Sequence, residues 1–222
     1  MPDIEQEFIR DCWYVAGWSE DFTHTLTPLR ILDEPIVVFR TEAGVPAALE
    51  DACPHRKLPL SKGRLTGETV ECGYHGLTFD CSGACVRAPT QDGPPPAVTV
   101  RSYPVEDRWG ILWIWMGDAD KADPDEIFEI PNYDNPAWGR TQGGSMDIAC
   151  HYLYVVDNLL DPSHVAWVHV SSFAGAGTGT LPLDLEKLDD GIIVSRWVMD
   201  APPPPYYEPI LPFSGNCDRK QH

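Results

Sequence analysis

Two groups of residues in this chain have the types and spacing to hold metal. The first lies in CPHRKLPLSKGRLTGETVECGYHG (53–76): Cys53-x-His55, then sixteen residues, then Cys72-x-x-His75. Each short segment offers one thiolate and one imidazole among turn residues, Pro54 in one and Gly73 and Gly76 in the other. The second lies in DNLLDPSHVAWVH (157–169), which places Asp157, Asp161, His164 and His169 in an otherwise amphipathic helical run. Two imidazoles and a carboxylate form the ligand set of a non-haem ferrous site with open positions.

Two cysteines and two histidines can satisfy a tetrahedral zinc, but zinc fingers of that composition usually pair Cys with Cys and His with His. Here each loop carries one of each. That mixed pairing suits a two-iron cluster in which both thiolates bind one iron and both imidazoles the other. This is Rieske-type ligation, in which imidazoles in place of two thiolates reduce the negative charge and raise the reduction potential. The glycines let backbone N–H groups approach the bridging sulfides without a side-chain clash. Cys81 and Cys85 follow in a tight turn and are expected as a reduced pair rather than a disulfide. Cys12, Cys150 and Cys217 are expected as small buried hydrophobes.

The second group is less decisive by itself. On a continuous helix Asp157, Asp161 and His164 share one face at i, i+4 and i+7. His169 then stands about 140° from His164, so the two imidazoles meet at one metal only if the helix is distorted between them, for example by a π-bulge. Pro162 already removes one intrahelical hydrogen bond nearby. A lone His-x4-His pair is more often two satisfied polar or core histidines than a ligand pair.

Taken together, the Rieske-type spacing followed by D-x3-D-x2-H-x4-H resembles the oxygenase (alpha) subunit of Rieske non-haem iron aromatic oxygenases. The run from CWYVAG (12–17) to VVDNLLDPSHVAWVH is most similar to the vanillate O-demethylase oxygenase group, and the resemblance covers essentially the whole chain. It implies that Cys53 and Cys72 hold the inner iron of a [2Fe-2S] cluster and His55 and His75 the outer one. It also implies that His164 and His169 are two arms of a 2-His-1-carboxylate triad on a mononuclear Fe(II). Asp161 would accept a hydrogen bond from an iron-bound histidine and, across a subunit interface, from the cluster histidine of a neighbour, here His75; Asp157 would support that network. His151 stands where relatives often carry Asn. The triad's carboxylate is expected beyond residue 222, on a chain that looks C-terminally truncated; Asp184, Asp189, Asp190, Asp200 and Asp218 all lie in turn, strand or tail contexts and are not promoted to ligands.

The implied activity is that of an aromatic monooxygenase that O-demethylates a methoxylated aromatic acid such as vanillate. It would use O2 and electrons from an NAD(P)H-dependent flavin and iron–sulfur reductase, in a homotrimer. A ring-hydroxylating dioxygenase remains open, as does a Rieske electron carrier without oxygen chemistry, although a carrier has no need of Asp157, Asp161, His164 and His169.

The elements that must position these residues read as α+β. An N-terminal all-β Rieske domain (1–117) contains the strands ILDEPIVVFR (31–40), VPAALEDA (45–52) and WGILWIWMG (109–117), with a hairpin at LTFDCSGACV (77–86) closed by Ser82-Gly83. The acidic, breaker-rich 118–139 is the expected connection. Residues 140–222 then read as the first part of an incomplete α+β, helix-grip-like catalytic domain. It holds a helix through 146–170, a strand at GIIVSRWVM (191–199), and no evident element at NCDRKQH. The 222 residues are 43% hydrophobic and 23% charged, enough for packed cores. A net charge of −18 argues against nucleic acid and against an anionic membrane surface. MPDIEQEF has no basic segment followed by an apolar core, and the odd number of cysteines, seven, favours a reducing cytosol.

Overall fold

The computed structural model describes residues 8–93, 95, 97–141, 143–175, 178–189 and 191–221, and the chain divides into two compact units, Met1–Thr141 and Gln142–His222. In the first unit the strands are β1 (Trp13–Trp18), β2 (Thr27–Ile31), β3 (Glu34–Arg40), β4 (Pro46–Glu50), β5 (Arg64–Thr66), β6 (Thr69–Glu71), β7 (Thr78–Phe79), β8 (Cys85–Arg87), β9 (Ser102–Tyr103), β10 (Val105–Arg108) and β11 (Ile111–Trp115). They form three antiparallel sheets in the orders β2-β3-β4-β9, β5-β6-β7-β8 and β1-β11-β10.

The apolar run Ile36–Phe39 is buried at every position, because β3 has a core on each side. Successive side chains of a strand point to opposite faces. Val37 and Phe39 join Leu49, Leu60, Val70 and Phe79, the core that also contains Cys53 and Cys72. Ile36 and Val38 join Phe22, Leu112, Ile114 and Met116 from the β1-β11-β10 layer. The sheet containing β3 is therefore the middle layer, and one of its faces carries the cysteine-bearing loops.

Of three sequence expectations in this unit, one is overturned, one holds and one gains detail. The run 31–40 is not one strand: Leu32 and Asp33 both take positive φ (48° and 62°), making the two-residue turn whose twist suits a hairpin between β2 and β3. The Ser82-Gly83 hairpin forms as expected, with Gly83 at φ 83° and its N–H on the Asp80 carbonyl (2.9 Å). The segment 118–139 lies against the first unit: Trp13 Nε1 donates to the Asp123 carbonyl (2.7 Å), Lys121 pairs with Asp11 (2.5 Å), Arg108 donates to the Pro124 carbonyl (2.7 Å), and Ile127 is buried.

The second unit contains α1 (Tyr152–Leu160), a single-turn α2 (Val165–Val168), and the antiparallel sheet β12 (Asp184–Lys187), β13 (Ile192–Ala201) and β14 (Cys217–Gln221). The expectation of no element at NCDRKQH is overturned. Cys217, Arg219 and Gln221 alternate inward along β14 opposite Ala201, Val198 and Arg196 of β13, and their polarity hides the period-2 pattern. No helix among the described residues is long and apolar enough to cross a membrane.

Candidate metal centres

The two Cys/His loops of the first unit repeat one backbone pattern. In the first, the Cys53 N–H donates to the Leu58 carbonyl (2.9 Å) and the Lys57 N–H to the Cys53 carbonyl (2.8 Å). In the second, Cys72 N–H donates to Leu77 (2.8 Å) and Gly76 N–H to Cys72 (3.0 Å). The residue four after each cysteine takes positive φ, Lys57 at 57° and Gly76 at 72°. At Gly76 a side chain is doubly excluded, since an added Cβ would also lie 2.8 Å from Pro89 Cγ.

This repeated shape carries both thiols inward and both imidazoles outward. Cys53 and Cys72 are each 2% exposed, whereas His55 and His75 are exposed, with ring centroids 4.6 Å apart. Tyr74 lies over His75 at 4.0 Å, and a cleft of about 360 Å³ lined by Pro54, His55, His75, Leu77, Pro89 and Val98 opens beside the rings. Burial pushes the Cys53 thiol above its ordinary value, and the neighbouring Cys72 adds to the rise, against the backbone N–H groups of His55 and Arg56 that point at its sulfur. Two thiolates side by side in a buried site need a cation to offset their charge. The donor set therefore fits a two-iron cluster with its thiolate-bound iron inside and its imidazole-bound iron at the surface. Cys81 and Cys85 are free thiols, as are the other five cysteines. Cys150 is exposed and Cys12 and Cys217 are part-exposed, so none of the three is the buried hydrophobe expected.

In the second unit a break separates the helix carrying Asp157 from the turn that the two histidines flank, and no π-bulge lies between His164 and His169. α1 ends at Leu160, and Asp161 leaves the helix at φ −103°, ψ 87°. Pro162 cannot donate, and the Asp161 carboxylate accepts the N–H (2.9 Å) and the hydroxyl of Ser163, closing a side-chain turn in place of another helical turn. α2 then starts after His164 and stops at His169, with ordinary helical bonds from Val168 to His164 (2.9 Å) and from His169 to Val165 (3.1 Å). The shared helix face expected for Asp157, Asp161 and His164 is lost at Asp161. The two imidazoles flank one turn, with centroids 5.3 Å apart and planes at 68°.

A further correction concerns Asp161. Its backbone carbonyl, not its carboxylate, meets His164 Nδ1. A carbonyl only accepts, so Nδ1 carries the proton and Nε2 keeps its lone pair for a metal. The hydrogen bonds from Ser163 hold the exposed Asp161 carboxyl below its ordinary value, so it is ionised near neutrality. Asp157 is exposed on α1. Among the described residues no third His, Cys, Asp or Glu joins the histidine pair. Asp184 lies on β12, Asp189 in a bend, Asp200 and Asp218 are tied to each other across β13 and β14 by a 2.8 Å bond, and Asp190 lies outside the described residues. With two imidazoles whose centroids lie 5.3 Å apart, this donor set fits two of three arms of a ferrous site.

The capping role of His151 and the whole of Arg196 escaped the sequence reading. His151 is the N-cap of α1, its Nδ1 accepting the Leu153 N–H (3.3 Å). Arg196, 2% exposed on β13, donates to the carbonyls of Thr178 and Pro162 and to Gln221, and so ties both the turn before His164 and the loop after His169 to the sheet. His151 was legible as a polar residue just ahead of a periodic run. Arg196 was not, because its partners are backbone groups distant in the chain.

Comparison with known proteins gives the same two parts. Residues 12–104 match the Rieske [2Fe-2S] domain family, and residues 148–222 match the vanillate O-demethylase oxygenase C-terminal domain family. The iron–sulfur subunit of the toluene-4-sulfonate monooxygenase system of Comamonas testosteroni is 38% identical over 96% of this chain and 62% of its own length. The vanillate O-demethylase oxygenase subunit of a Pseudomonas species is 37% identical over 95% of this chain and 59% of its own. The crystal structure of dicamba monooxygenase bound to 3,6-dichlorosalicylic acid superposes with a TM-score of 0.88 at 35% identity, over 97% of this chain and 64% of that one. A structure of the same enzyme with non-heme iron and dicamba superposes at 0.74 and 36% identity, over 87% and 55% of the two chains. The chain thus spans about three fifths of the length of the curated relatives it matches. By its matched domains and their order, the chain consists of a member of the Rieske [2Fe-2S] domain family followed by a member of the vanillate O-demethylase oxygenase C-terminal domain family.

Proposed function

We propose that this chain serves the oxygenase component of an aromatic monooxygenase that O-demethylates a methoxylated aromatic acid. The observation that carries the reading is the presence, in one chain, of buried Cys53 and Cys72 under exposed His55 and His75, together with a separate imidazole pair at His164 and His169. Bound there, a [2Fe-2S] cluster supplies single electrons and a mononuclear Fe(II) activates dioxygen. The chain's own residues do the placing. Cys53 and Cys72 anchor the cluster from the core, and His55 and His75 present its outer edge to an electron donor. The Asp161 carbonyl fixes His164 through Nδ1, which would leave Nε2 to hold the metal. The exposed, ionised Asp161 carboxylate is free to accept from His75 of a neighbouring copy in a homotrimer, and Asp157, one turn earlier on α1, extends that network. We assign residues 1–117 to the Rieske domain, 118–139 to the connection and 140–222 to the start of the catalytic domain.

Hydroxylation of a methoxy carbon by O2, two electrons and two protons gives a hemiacetal that collapses to a phenol and formaldehyde, with the second oxygen atom leaving as water. The electrons come from an NAD(P)H-dependent flavin and iron–sulfur reductase. Seven free thiols suit a reducing cytosol. A second reading, hydroxylation of a ring methyl group, is favoured by the toluene-4-sulfonate relative at 38% identity. The test supplies the complete oxygenase and a competent reductase with vanillate, 3,6-dichloro-2-methoxybenzoate and toluene-4-sulfonate. Substrate-dependent formaldehyde matching oxygen uptake is expected from a methoxylated acid. A hydroxymethyl product alone favours the second reading, and a ring dihydrodiol without formaldehyde overturns both.

A further inference from the structure

We propose that Asp51 is a positioning residue for the cluster: through Ser61 it fixes the segment on which the second ligand loop rests, and so sets the spacing between the two loops. The proposal rests on the reading of Cys53, His55, Cys72 and His75 as cluster ligands.

Neither Asp51 nor Ser61 belongs to the Cys/His spacing. Asp51 stands two residues before Cys53, is 7% exposed, and is pinned to the head of β3 by its N–H on the Pro35 carbonyl (2.9 Å). Its Oδ1 accepts the Ser61 N–H and its Oδ2 the Ser61 hydroxyl, both at 2.6 Å. Ser61 lies in the short 3₁₀ turn Leu60–Lys62, whose Leu60 is fully buried in the core shared by Cys53 and Cys72. The next residue carries the link onward. The Lys62 carbonyl packs against Gly73, so closely that a Cβ there would stand 2.9 Å from it. Gly73 directly follows Cys72 and stands two residues before His75.

A continuous path therefore runs from the start of loop one, through a two-point clamp, to the backbone of loop two. No other hydrogen bond described for Asp51 spans the loops, and no cation reaches it among the described residues. A buried carboxylate facing only amide and hydroxyl donors is costly compared with a neutral side chain. What it provides is two strong acceptors in one plane, each holding a different donor of the same residue. A cluster has fixed iron–iron and iron–ligand distances, so an error in loop spacing acts on the metal before it acts on the fold.

The test uses the complete oxygenase, loaded anaerobically, with Asp51→Asn, Ser61→Ala and Asp51→Ala. Three properties are read: the rate of iron release to a chelator, the EPR g-values of the reduced cluster, and the thermal unfolding midpoint. In Asp51→Asn the amide oxygen can accept the Ser61 N–H while the amide nitrogen donates to Ser61 Oγ, so release should stay within about twofold of wild type with g-values unchanged. Ser61→Ala keeps only the backbone link and should release iron roughly tenfold faster, as expected for losing a hydrogen bond to a charged group. Asp51→Ala should be faster still, with altered g-values. If Asp51→Ala does not fold, Ser61→Ala against Asp51→Asn decides.

A lowered midpoint with unchanged release and g-values in Ser61→Ala would mean support of the fold alone and overturn the proposal. So would Asp51→Asn behaving like Asp51→Ala, because charge rather than the paired link would then be at work. Wild-type protein without acid-labile sulfide would instead remove the cluster reading beneath it.

Discussion

Replacing His164 with alanine removes one of two imidazoles whose centroids stand 5.3 Å apart, and leaves the four Cys/His side chains of the first unit untouched. Loss of a residue that only hydrogen-bonds to a metal ligand costs about 10–100-fold in metal affinity, so loss of a ligand should weaken Fe(II) binding at least about a hundredfold. Metal analysis should show acid-labile sulfide retained and the non-cluster iron gone; equal iron in both proteins would remove His164 from the site. A second residue-scale expectation concerns Glu34, which accepts hydrogen bonds from Tyr103 (2.7 Å), Arg101 (3.0 Å) and Arg10. Burial alone would raise its carboxyl, but the bonds from Arg10 and Tyr103 and the charge of Arg101 outweigh burial and hold it below its ordinary value of 4.5. Because the folded value is the lower one, Glu34 adds stability above its unfolded value, and that contribution is lost as pH falls through the folded one. Glu34→Gln should therefore melt below wild type at neutral pH, with the two curves converging below about pH 4. A gap that persists in acid would assign the effect to packing.

At the scale of elements, the break between α1 and α2 turns the chain just before His164, and so sets where α2 and its two flanking histidines stand relative to α1. It has two causes, the missing N–H of Pro162 and the turn closed by Asp161 and Ser163. Restoring a donor with Pro162→Ala removes the first. Helical pairing can then extend past Leu160, carrying His164 and α2 away from the place where Arg196 holds the turn before them. The expected outcome is a larger far-UV helical signal together with Fe(II) binding weakened about tenfold, the scale of losing a group that only orients a ligand. Unchanged iron affinity would show that the side-chain turn suffices.

For the whole molecule, the acidic segment 118–139 is held to the first unit by Trp13, Asp11 and Arg108 and by buried Ile127. A polypeptide ending at Thr141 should therefore load the cluster and unfold above one ending at Gly117. Full burial of an isoleucine side chain is worth about 2 kcal/mol, which in a domain of this size corresponds to about 5 °C or more in midpoint. Equal midpoints would make the segment a passive tether.

What the sequence by itself determined is the chemistry. Thiolates and imidazoles at Cys53, His55, Cys72 and His75 point to mixed ligation wherever the loops lie, because ligand type and local spacing are properties of a few adjacent residues. The helical run before Asp161 and the Ser82-Gly83 hairpin were legible for the same reason, being set by short-range periodicity and turn preference. The tertiary structure alone decided which groups meet. Only the shared core of the β2–β4 layer buries Cys53 beside Cys72, and only the sheet brings Arg196 to Pro162 and Thr178. β14 is a strand because β13 offers it an edge, although NCDRKQH has no apolar period of its own. Asp51 finds Ser61 ten residues away because Cys53 and Leu60 beside them share one core, and no local pattern encodes that distance.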